Sequence, residues 1–143
     1  MALFMIPNRV IQFSPVARNP IQPLRILLIE DHETTREALT MLLEYRQHAV
    51  SATGSIAEAR KAAEDGVFDL VISDVGLPDG SGNELMAELR ARFGLRGIAL
   101  SGYGDANAMN NSETAGFVIH LTKPVRIEAL EGALAAATDA DRK

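Results

Sequence analysis

Five polar side chains follow short apolar runs in this sequence, each at the point where a run ends. Glu30 and Asp31 follow one run, and Asp74 follows another. The hydroxyl of Ser101 and the ammonium of Lys123 follow two more. Short apolar runs bounded by turn residues are typical of buried parallel strands, whose carboxyl ends lie at one edge of a sheet. We therefore expect three carboxylates, a hydroxyl and an ammonium to converge there.

This combination of groups predicts a site for a hard cation and for phosphoryl transfer. Two carboxylates about 4 Å apart repel by about 4 kcal/mol at an effective dielectric constant near 20, so three of them require a cation or a proton. Oxygen ligands without a nearby His or Cys favour Mg²⁺. A carboxylate such as Asp74, beside that cation and Lys123, can attack phosphorus because both positive groups balance charge on the phosphoryl oxygens. Ser101 would donate a hydrogen bond to one of those oxygens.

The hydrophobic pattern predicts the strands and helices that carry these groups. Apolar runs predict five strands, at 26–29, 49–52, 70–72, 98–100 and 117–119. Helical spacing and capping signals predict a helix after each strand, the fourth of them, at 105–115, weakened by three asparagines. Five strands alternating with five helices indicate a parallel sheet with helices on both faces.

Two helix starts carry recognisable signals. Asp31 or Thr34 is available as the cap of the first helix. Ser55 with Glu58 three residues later is a capping-box pattern, which predicts the start of the second helix.

The remaining segments are shorter and less regular. Residues 1–24 contain four prolines and no sustained periodicity, which predicts an N-terminal arm or linker. Its apolar residues could add a strand or dock on a partner, but a mobile tail is the favoured interpretation. The domain itself is predicted at 25–138, and residues 139–143 are expected to fray.

Composition excludes several functional classes. A chain of 143 residues has room for one domain, and its net charge of −5 without a Lys/Arg cluster argues against nucleic-acid binding. The absence of cysteine excludes disulfides and thiol catalysis. No apolar run approaches the roughly 20 residues that span a bilayer, and no signal peptide is visible, so a cytoplasmic location is the expectation.

From Arg25 to about residue 137 the chain resembles the receiver domain of two-component response regulators. The matching features are the acidic pair after strand one, Asp74 after strand three with the Leu77-Pro78-Asp79-Gly80 loop, a hydroxyl after strand four, and Lys-Pro after strand five. The resemblance implies a single flavodoxin-like (βα)5 domain with a doubly wound parallel sheet and strand order 2-1-3-4-5. The sequence of residues 100–104 is most similar to that found in receiver domains at the C-terminus of hybrid sensor histidine kinases.

The resemblance also implies a role for each residue. Asp74 would accept the phosphoryl group, and Ser101 and Lys123 would contact it. A cis peptide would join Lys123 to Pro124. The Mg²⁺ ligands would be the carboxylates of Glu30, Asp31 and Asp74 and the backbone carbonyl of Gly76.

The implied function is a phosphorelay signalling switch. A sensor histidine kinase or a histidine phosphotransfer domain would supply the phosphoryl group, and output would pass through protein–protein contacts. A homodimer is left open, and neither nucleic acid nor a membrane is expected as a partner. Catalysis would be limited to self-phosphorylation from phosphodonors and slow autodephosphorylation. The domain is therefore not expected to be a metabolic enzyme.

One position departs from the family pattern. The switch residue three positions before the lysine is commonly Tyr or Phe, but here it is His120. Ser101 and His120 are therefore the expected switch pair, and the charge of the imidazole would couple switching to pH.

Two other functions remain as alternatives. The first is an interaction module of the same fold that is never phosphorylated, although such a module does not require the complete set of five polar groups. The second is a hydrolase that passes through an aspartyl phosphate. Such enzymes usually carry a second Asp two residues after the nucleophile, where this chain has Gly76.

Overall fold

The computed structural model describes residues 22–102 and 115–141. Residues 1–21 of the predicted arm, 105–114 of the predicted fourth helix and 142–143 of the predicted frayed end lie outside this part. The described helices are α1 (Glu33–Tyr45), α2 (Ile56–Asp65), α3 (Gly82–Phe93) and α4 (Ile127–Asp141). The described strands are β1 (Arg25–Ile29), β2 (Ala49–Thr53), β3 (Leu70–Asp74), β4 (Gly76–Leu77), β5 (Gly80–Ser81), β6 (Gly97–Ser101) and β7 (Phe117–Thr122).

The five longer strands form one parallel sheet in the order β2-β1-β3-β6-β7. Numbered without the two-residue strands β4 and β5, this is the predicted order 2-1-3-4-5, and the flavodoxin-like fold class is confirmed. Parallel pairing places the carboxyl ends of all five strands at the same edge. Glu30, Asp31, Asp74, Ser101 and Lys123 all lie at or just beyond those ends.

Both faces of the sheet are buried, because side chains alternate along each strand. In β1, Leu27 and Ile29 pack in a core with residues of α2 and α3, whereas Ile26 and Leu28 pack in a second core with residues of α1 and α4. All four of these side chains are fully buried. This two-sided burial explains why the strand reads as an unbroken apolar run rather than as an alternating pattern. Within the described residues, no helix combines the length and the apolar character that crossing a bilayer demands.

The helix caps only partly follow the sequence prediction. The predicted caps of α1, Asp31 and Thr34, were wrong: the N-cap is His32, whose Nδ1 accepts a bond from the backbone N–H of Thr35 at 3.4 Å. The predicted cap of α2 is confirmed, because Ser55 Oγ accepts from the backbone N–H of Glu58 at 3.2 Å.

A second cap on α2 comes from a distant part of the chain. The carboxylate of Asp79 accepts bonds from the backbone N–H groups of Ile56 at 2.9 Å and Ala57 at 3.1 Å. These donors are two of the N–H groups that a helix start leaves without an internal partner. Asp79 thereby ties the loop after β3 to the start of α2.

The loop after Asp74 is more ordered than its Gly-Pro composition predicts. It forms a small antiparallel pair in which Gly76 faces Ser81 and Leu77 faces Gly80. The backbone N–H of Gly82 then donates to the carbonyl of Val75 at 2.8 Å. A Cβ on the buried Gly82 would collide with the carbonyl oxygen of Asp74, so only glycine permits this close return.

The register between β6 and β7 shifts by one residue near its start. Gly97 pairs with Phe117, but Ile98 pairs with Ile119, which leaves an extra residue on β7. Beyond the shift, Ala99 pairs with His120. Because residues two apart in a strand share a face, the shift places His120 on the same side of the sheet as Ser101.

Candidate functional site

A lysine and two buried carboxylates form the centre of the sheet edge. Lys123 Nζ lies 2.7 Å from Glu30 Oε1 and 2.7 Å from Asp74 Oδ1. Glu30 is 0% exposed, Asp74 is 4% exposed, and the Lys123 side chain is 26% exposed. The structure therefore brings together three of the groups that the sequence predicted to meet, from the ends of β1, β3 and β7.

Asp31 completes the acidic group. Carboxylate oxygens of Glu30, Asp31 and Asp74 lie within 4.8 Å of one another, with Asp31 exposed and the other two buried. One side of the cluster is thus closed by protein while the other is open to solvent. An exposed approach beside buried charge suits a small ligand that arrives from water.

Hydrogen bonds from the backbone and from one side chain hold Glu30 in place. The backbone N–H of Glu30 donates to Thr53 O at 3.0 Å, which continues the pairing of β1 with β2. Glu30 Oε2 accepts from the backbone N–H of His32 at 2.9 Å. From α1, the Arg36 guanidinium donates to Glu30 O at 2.9 Å. Nothing in the sequence marks Arg36 for this contact, because a lone Arg on a helix carries no signal that it turns back toward the preceding loop.

The other two strand ends are held in a similar way. The backbone N–H of Val75 donates to Leu100 O at 3.1 Å, and that of Lys123 donates to Ser101 O at 2.8 Å. The Lys123–Pro124 peptide is cis, as predicted. These bonds link the residue after Asp74 to β6, and they link the backbone of Lys123 to that of Ser101.

The electrostatics of the buried groups are strongly perturbed. Burial, followed by the neighbouring Glu30 carboxyl, raises the pKa of Asp74 to about 8, although Lys123 acts in the opposite direction. For Glu30, burial is the largest influence and opposes ionisation, but hydrogen bonds with Asp74, Lys123 and the His32 N–H together lower its pKa. Burial also opposes the charge on Lys123, yet the two carboxylates raise its pKa. Because the pKa of Glu30 is lowered and that of Asp74 is raised, Glu30 is the carboxylate that pairs with the Lys123 ammonium, and Asp74 is the more easily protonated of the two.

Ser101 is buried beside His120. Its side chain is 1% exposed, and its Oγ lies 2.7 Å from His120 Nε2. The predicted switch residues are therefore in direct contact. The sequence suggested that His120 would respond to Ser101, but it did not suggest a hydrogen bond between them.

The residues present fit a divalent cation. Glu30 Oε1 is buried and lies 2.7 Å from the Lys123 ammonium. A buried carboxylate with two further carboxylates within 4.8 Å is a suitable donor set for a hard ion such as Mg²⁺, which retains several waters. Gly76, the fourth predicted ligand, is exposed and lies two residues after Asp74. Its carbonyl remains a predicted ligand.

Comparison with known proteins agrees with this geometry. The family profile described as the response regulator receiver domain matches residues 26–135. The two-component response regulator ARR12 of Arabidopsis thaliana is 34% identical over 110 residues, covering 76% of this chain and 18% of that protein. The two-component response regulator ORR24 of Oryza sativa subsp. indica is 37% identical over 109 residues, covering 75% of this chain and 17% of that protein. The chain thus spans less than a fifth of the length of these two relatives.

Solved structures show the same fold. A response regulator receiver domain protein from Clostridium thermocellum superimposes with a TM-score of 0.77 at 26% identity, covering 82% of this chain and 96% of that one. A signal receiver domain of an HD domain-containing protein from Pseudomonas fluorescens superimposes with a TM-score of 0.79 at 24% identity, covering 85% and 98%. Profile, relatives, fold and the convergence of an acidic pair, an aspartate and a lysine at one sheet edge agree: the chain belongs to the response regulator receiver domain family of two-component signalling systems.

Proposed function

We propose that this domain is a phosphorylation-dependent switch that accepts a phosphoryl group on Asp74 in the presence of Mg²⁺. The observation that supports this most directly is the Lys123 ammonium, placed 2.7 Å from both Asp74 and the buried Glu30. A lysine held against the acceptor carboxylate is positioned to balance charge on incoming phosphoryl oxygens. A lysine that served stability alone would not require an open acidic face beside it.

In the proposed reaction, one carboxylate oxygen of Asp74 attacks the phosphorus of a phosphohistidine on the partner protein. The new O–P bond forms as the P–N bond breaks, and the electron pair of that bond returns to the partner's imidazole nitrogen. Lys123 contacts a phosphoryl oxygen and Ser101 donates a hydrogen bond to another. Glu30, Asp31, Asp74 and the carbonyl of Gly76 would hold Mg²⁺, whose positive charge would favour the ionised form of Asp74 and balance the charge of the transferred group.

The partner in this proposal is a sensor histidine kinase or a histidine phosphotransfer domain. Membership of the receiver family supports this class of donor, and the exposed Asp31 leaves the site open on one side. Output would follow through altered protein–protein contacts of the domain surface.

Phosphorylation by acetyl phosphate tests the proposal. The protein is incubated with acetyl phosphate and Mg²⁺, and its intact mass is measured with and without EDTA. We expect a gain of one phosphate that requires Mg²⁺, is lost in Asp74→Asn and is released by hydroxylamine, which cleaves acyl phosphates.

Asp69→Asn is the matched control. It makes the same chemical change at a carboxylate that pairs with Arg25 at the opposite edge of the sheet, 3.1 Å from its guanidinium. This variant should be phosphorylated like the parent. Equal phosphorylation of Asp74→Asn and the parent would disprove the assignment of the acceptor, and no phosphorylation of the folded parent would favour the alternative of a non-phosphorylated interaction module.

A further inference from the structure

We propose that His120 is a positioning residue that orients the Ser101 hydroxyl toward the phosphoryl group by donating a hydrogen bond from Nε2 to Oγ. This inference rests on the proposed function of Asp74 and adds a residue to it. His120 would not touch the phosphoryl group itself. It would act through Ser101.

The geometry of the pair supports direct coupling. Ser101 Oγ and His120 Nε2 are 2.7 Å apart, a short distance for a hydrogen bond between a hydroxyl and an imidazole. Ser101 is 1% exposed, so solvent has little access to its hydroxyl. Its carbonyl also accepts the backbone N–H of Lys123 at 2.8 Å. One serine thus connects His120 through its side chain and the proposed phosphoryl-binding lysine through its backbone.

The register shift between β6 and β7 makes this contact achievable. With Ala99 paired to His120, the imidazole lies on the same face as Ser101. Without the extra residue, the side chain at position 120 would point to the other face, because side chains alternate along a strand. The contact therefore depends on a specific irregularity of the sheet as well as on the two residue types.

The direction of the hydrogen bond follows from a count of donors. A serine hydroxyl has one proton to donate and two lone pairs that accept. Phosphoryl oxygens only accept, so Ser101 must give its single proton to the phosphoryl group. His120 Nε2 then stays in contact with Ser101 only by donating its own proton to Oγ. Breaking the contact instead would give up the 2.7 Å hydrogen bond to Ser101, whose side chain is almost fully buried.

This arrangement makes the imidazole more than a packing element. A hydroxyl that accepts a hydrogen bond is polarised and becomes a better donor. It is also held in one rotational orientation, so less freedom is lost when the phosphoryl group arrives. We expect that loss of the Nε2 donor weakens binding of a phosphoryl-like anion by about two- to ten-fold, the range for one neutral hydrogen bond.

The experiment uses beryllofluoride with Mg²⁺ as a phosphoryl mimic, titrated into the full chain and followed by ¹H–¹⁵N NMR. His120→Phe keeps an aromatic ring but has no donor, whereas His120→Gln keeps an N–H donor near the position of Nε2. We expect weaker binding by His120→Phe, near-parent binding by His120→Gln, and weaker binding by Ser101→Ala. The double variant Ser101→Ala/His120→Phe should match Ser101→Ala, because His120 acts only through the hydroxyl.

Imidazole ¹⁵N spectra provide a readout that a purely structural role would not change. With beryllofluoride bound, the side chain of His120 should carry a proton on Nε2. A bare Nε2 in that state would overturn the proposal, and so would parent-like affinity of His120→Phe, weak binding by His120→Gln, or an effect of His120→Phe that persists in full without the Ser101 hydroxyl.

The same titration separates this proposal from the one on which it rests. Failure of the folded parent to bind beryllofluoride, or equal binding by Asp74→Asn, would overturn both. Normal binding by the parent, loss in Asp74→Asn and no effect of His120→Phe would overturn the role of His120 alone. Thermal unfolding of each variant shows that the binding measurements compare folded proteins.

Discussion

Replacing Lys123 with methionine removes the ammonium and keeps most of the aliphatic side chain. In the structure Nζ lies 2.7 Å from Glu30 Oε1 and 2.7 Å from Asp74 Oδ1. The combined formal charge of the side chains at positions 30, 31, 74 and 123 becomes one unit more negative. Two opposite effects follow: the metal-free fold loses stability, and the site gains affinity for a divalent cation.

The size of the first effect can be worked out from these contacts. At 2.7 Å and an effective dielectric constant of about 20, the attraction between the ammonium and the Glu30 carboxylate amounts to about 6 kcal/mol before desolvation is subtracted. Desolvation offsets much of this, and removing one partner from a buried pair costs about 3–5 kcal/mol. Because burial raises the pKa of Asp74 while that of Glu30 is lowered, Glu30 is the main charge left unpaired. We therefore expect a loss of about 3 kcal/mol, or a decrease of roughly 10 °C in Tm.

The second effect opposes the first when Mg²⁺ is present. Lys123 and the cation compete for oxygens of Glu30 and Asp74, so removal of the Lys123 ammonium should tighten metal binding. A ten-fold tighter Kd adds about 1.4 kcal/mol of stabilisation at saturating metal. Transfer from acetyl phosphate should nevertheless slow by about 10²-fold, because a preorganised donor to the transferred group is lost.

The assay is thermal unfolding at pH 7 with EDTA and at several Mg²⁺ concentrations, together with phosphorylation rates from intact mass. Lys61→Met is the matched control, since Lys61 forms an exposed pair with Asp65 on α2, with Nζ 3.0 Å from the carboxylate. It should change neither Tm nor metal response measurably.

Two results would refute the reasoning about Lys123. The first is an unchanged or higher Tm of Lys123→Met in EDTA, which would mean that the ammonium does not stabilise buried Glu30. The second is a Mg²⁺-induced rise in Tm that is equal to or smaller than that of the parent, which would mean that lysine and metal do not compete.

Three further predictions concern the parts of the fold that support the site. Gly82→Ala should destabilise the fold by about 1–3 kcal/mol and slow phosphorylation, because the new Cβ collides with the carbonyl of Asp74. Urea unfolding measures the stability and intact mass measures the phosphorylation. A substitution without effect on stability would contradict the close approach. Burial lowers the pKa of His48, whose Nδ1 accepts the Leu24 N–H at 3.0 Å, so this imidazole stabilises the fold above its unfolded pKa of about 6.5 and that contribution is lost as the pH falls. Urea unfolding at pH 7 and pH 5 measures this contribution: the free energy of unfolding should fall less between the two pH values for His48→Asn than for the parent. An identical fall in both proteins would exclude His48 as a source of the pH dependence. Asp79→Ala should lower Tm by less than Gly82→Ala does, and it should speed amide hydrogen exchange in the first turn of α2. Unchanged exchange there would count against the role of Asp79 as a helix cap.

The sheet and the meeting of its polar ends were accessible from the sequence because each depends on local patterns. Apolar runs such as residues 70–72 indicate directly that a strand is buried on both faces. Parallel pairing then requires the ends of β1, β3 and β7 to share an edge, so proximity of Glu30, Asp74 and Lys123 followed without knowledge of exact distances.

Other features could not be predicted because they depend on long-range geometry. The hydrogen bond between Ser101 and His120 requires a one-residue shift between β6 and β7, and nothing in the residue types marks where a strand accepts an extra residue. Capping of α2 by Asp79 joins residues 23 positions apart. The cap of α1 was misassigned because Asp31, His32 and Thr34 are close in sequence and the exact turn decides which side chain reaches the helix start.

The tie between Asp79 and α2 has a consequence for how the loop after Asp74 behaves. Its two short strands, its glycine return and its bonds to α2 already restrict this segment when the chain folds. The conformational entropy of the loop is therefore lost during folding and not at the moment of ligand binding. Affinity at this edge should depend mainly on charge and solvent displacement, so that stiffening the loop further by mutation would gain little.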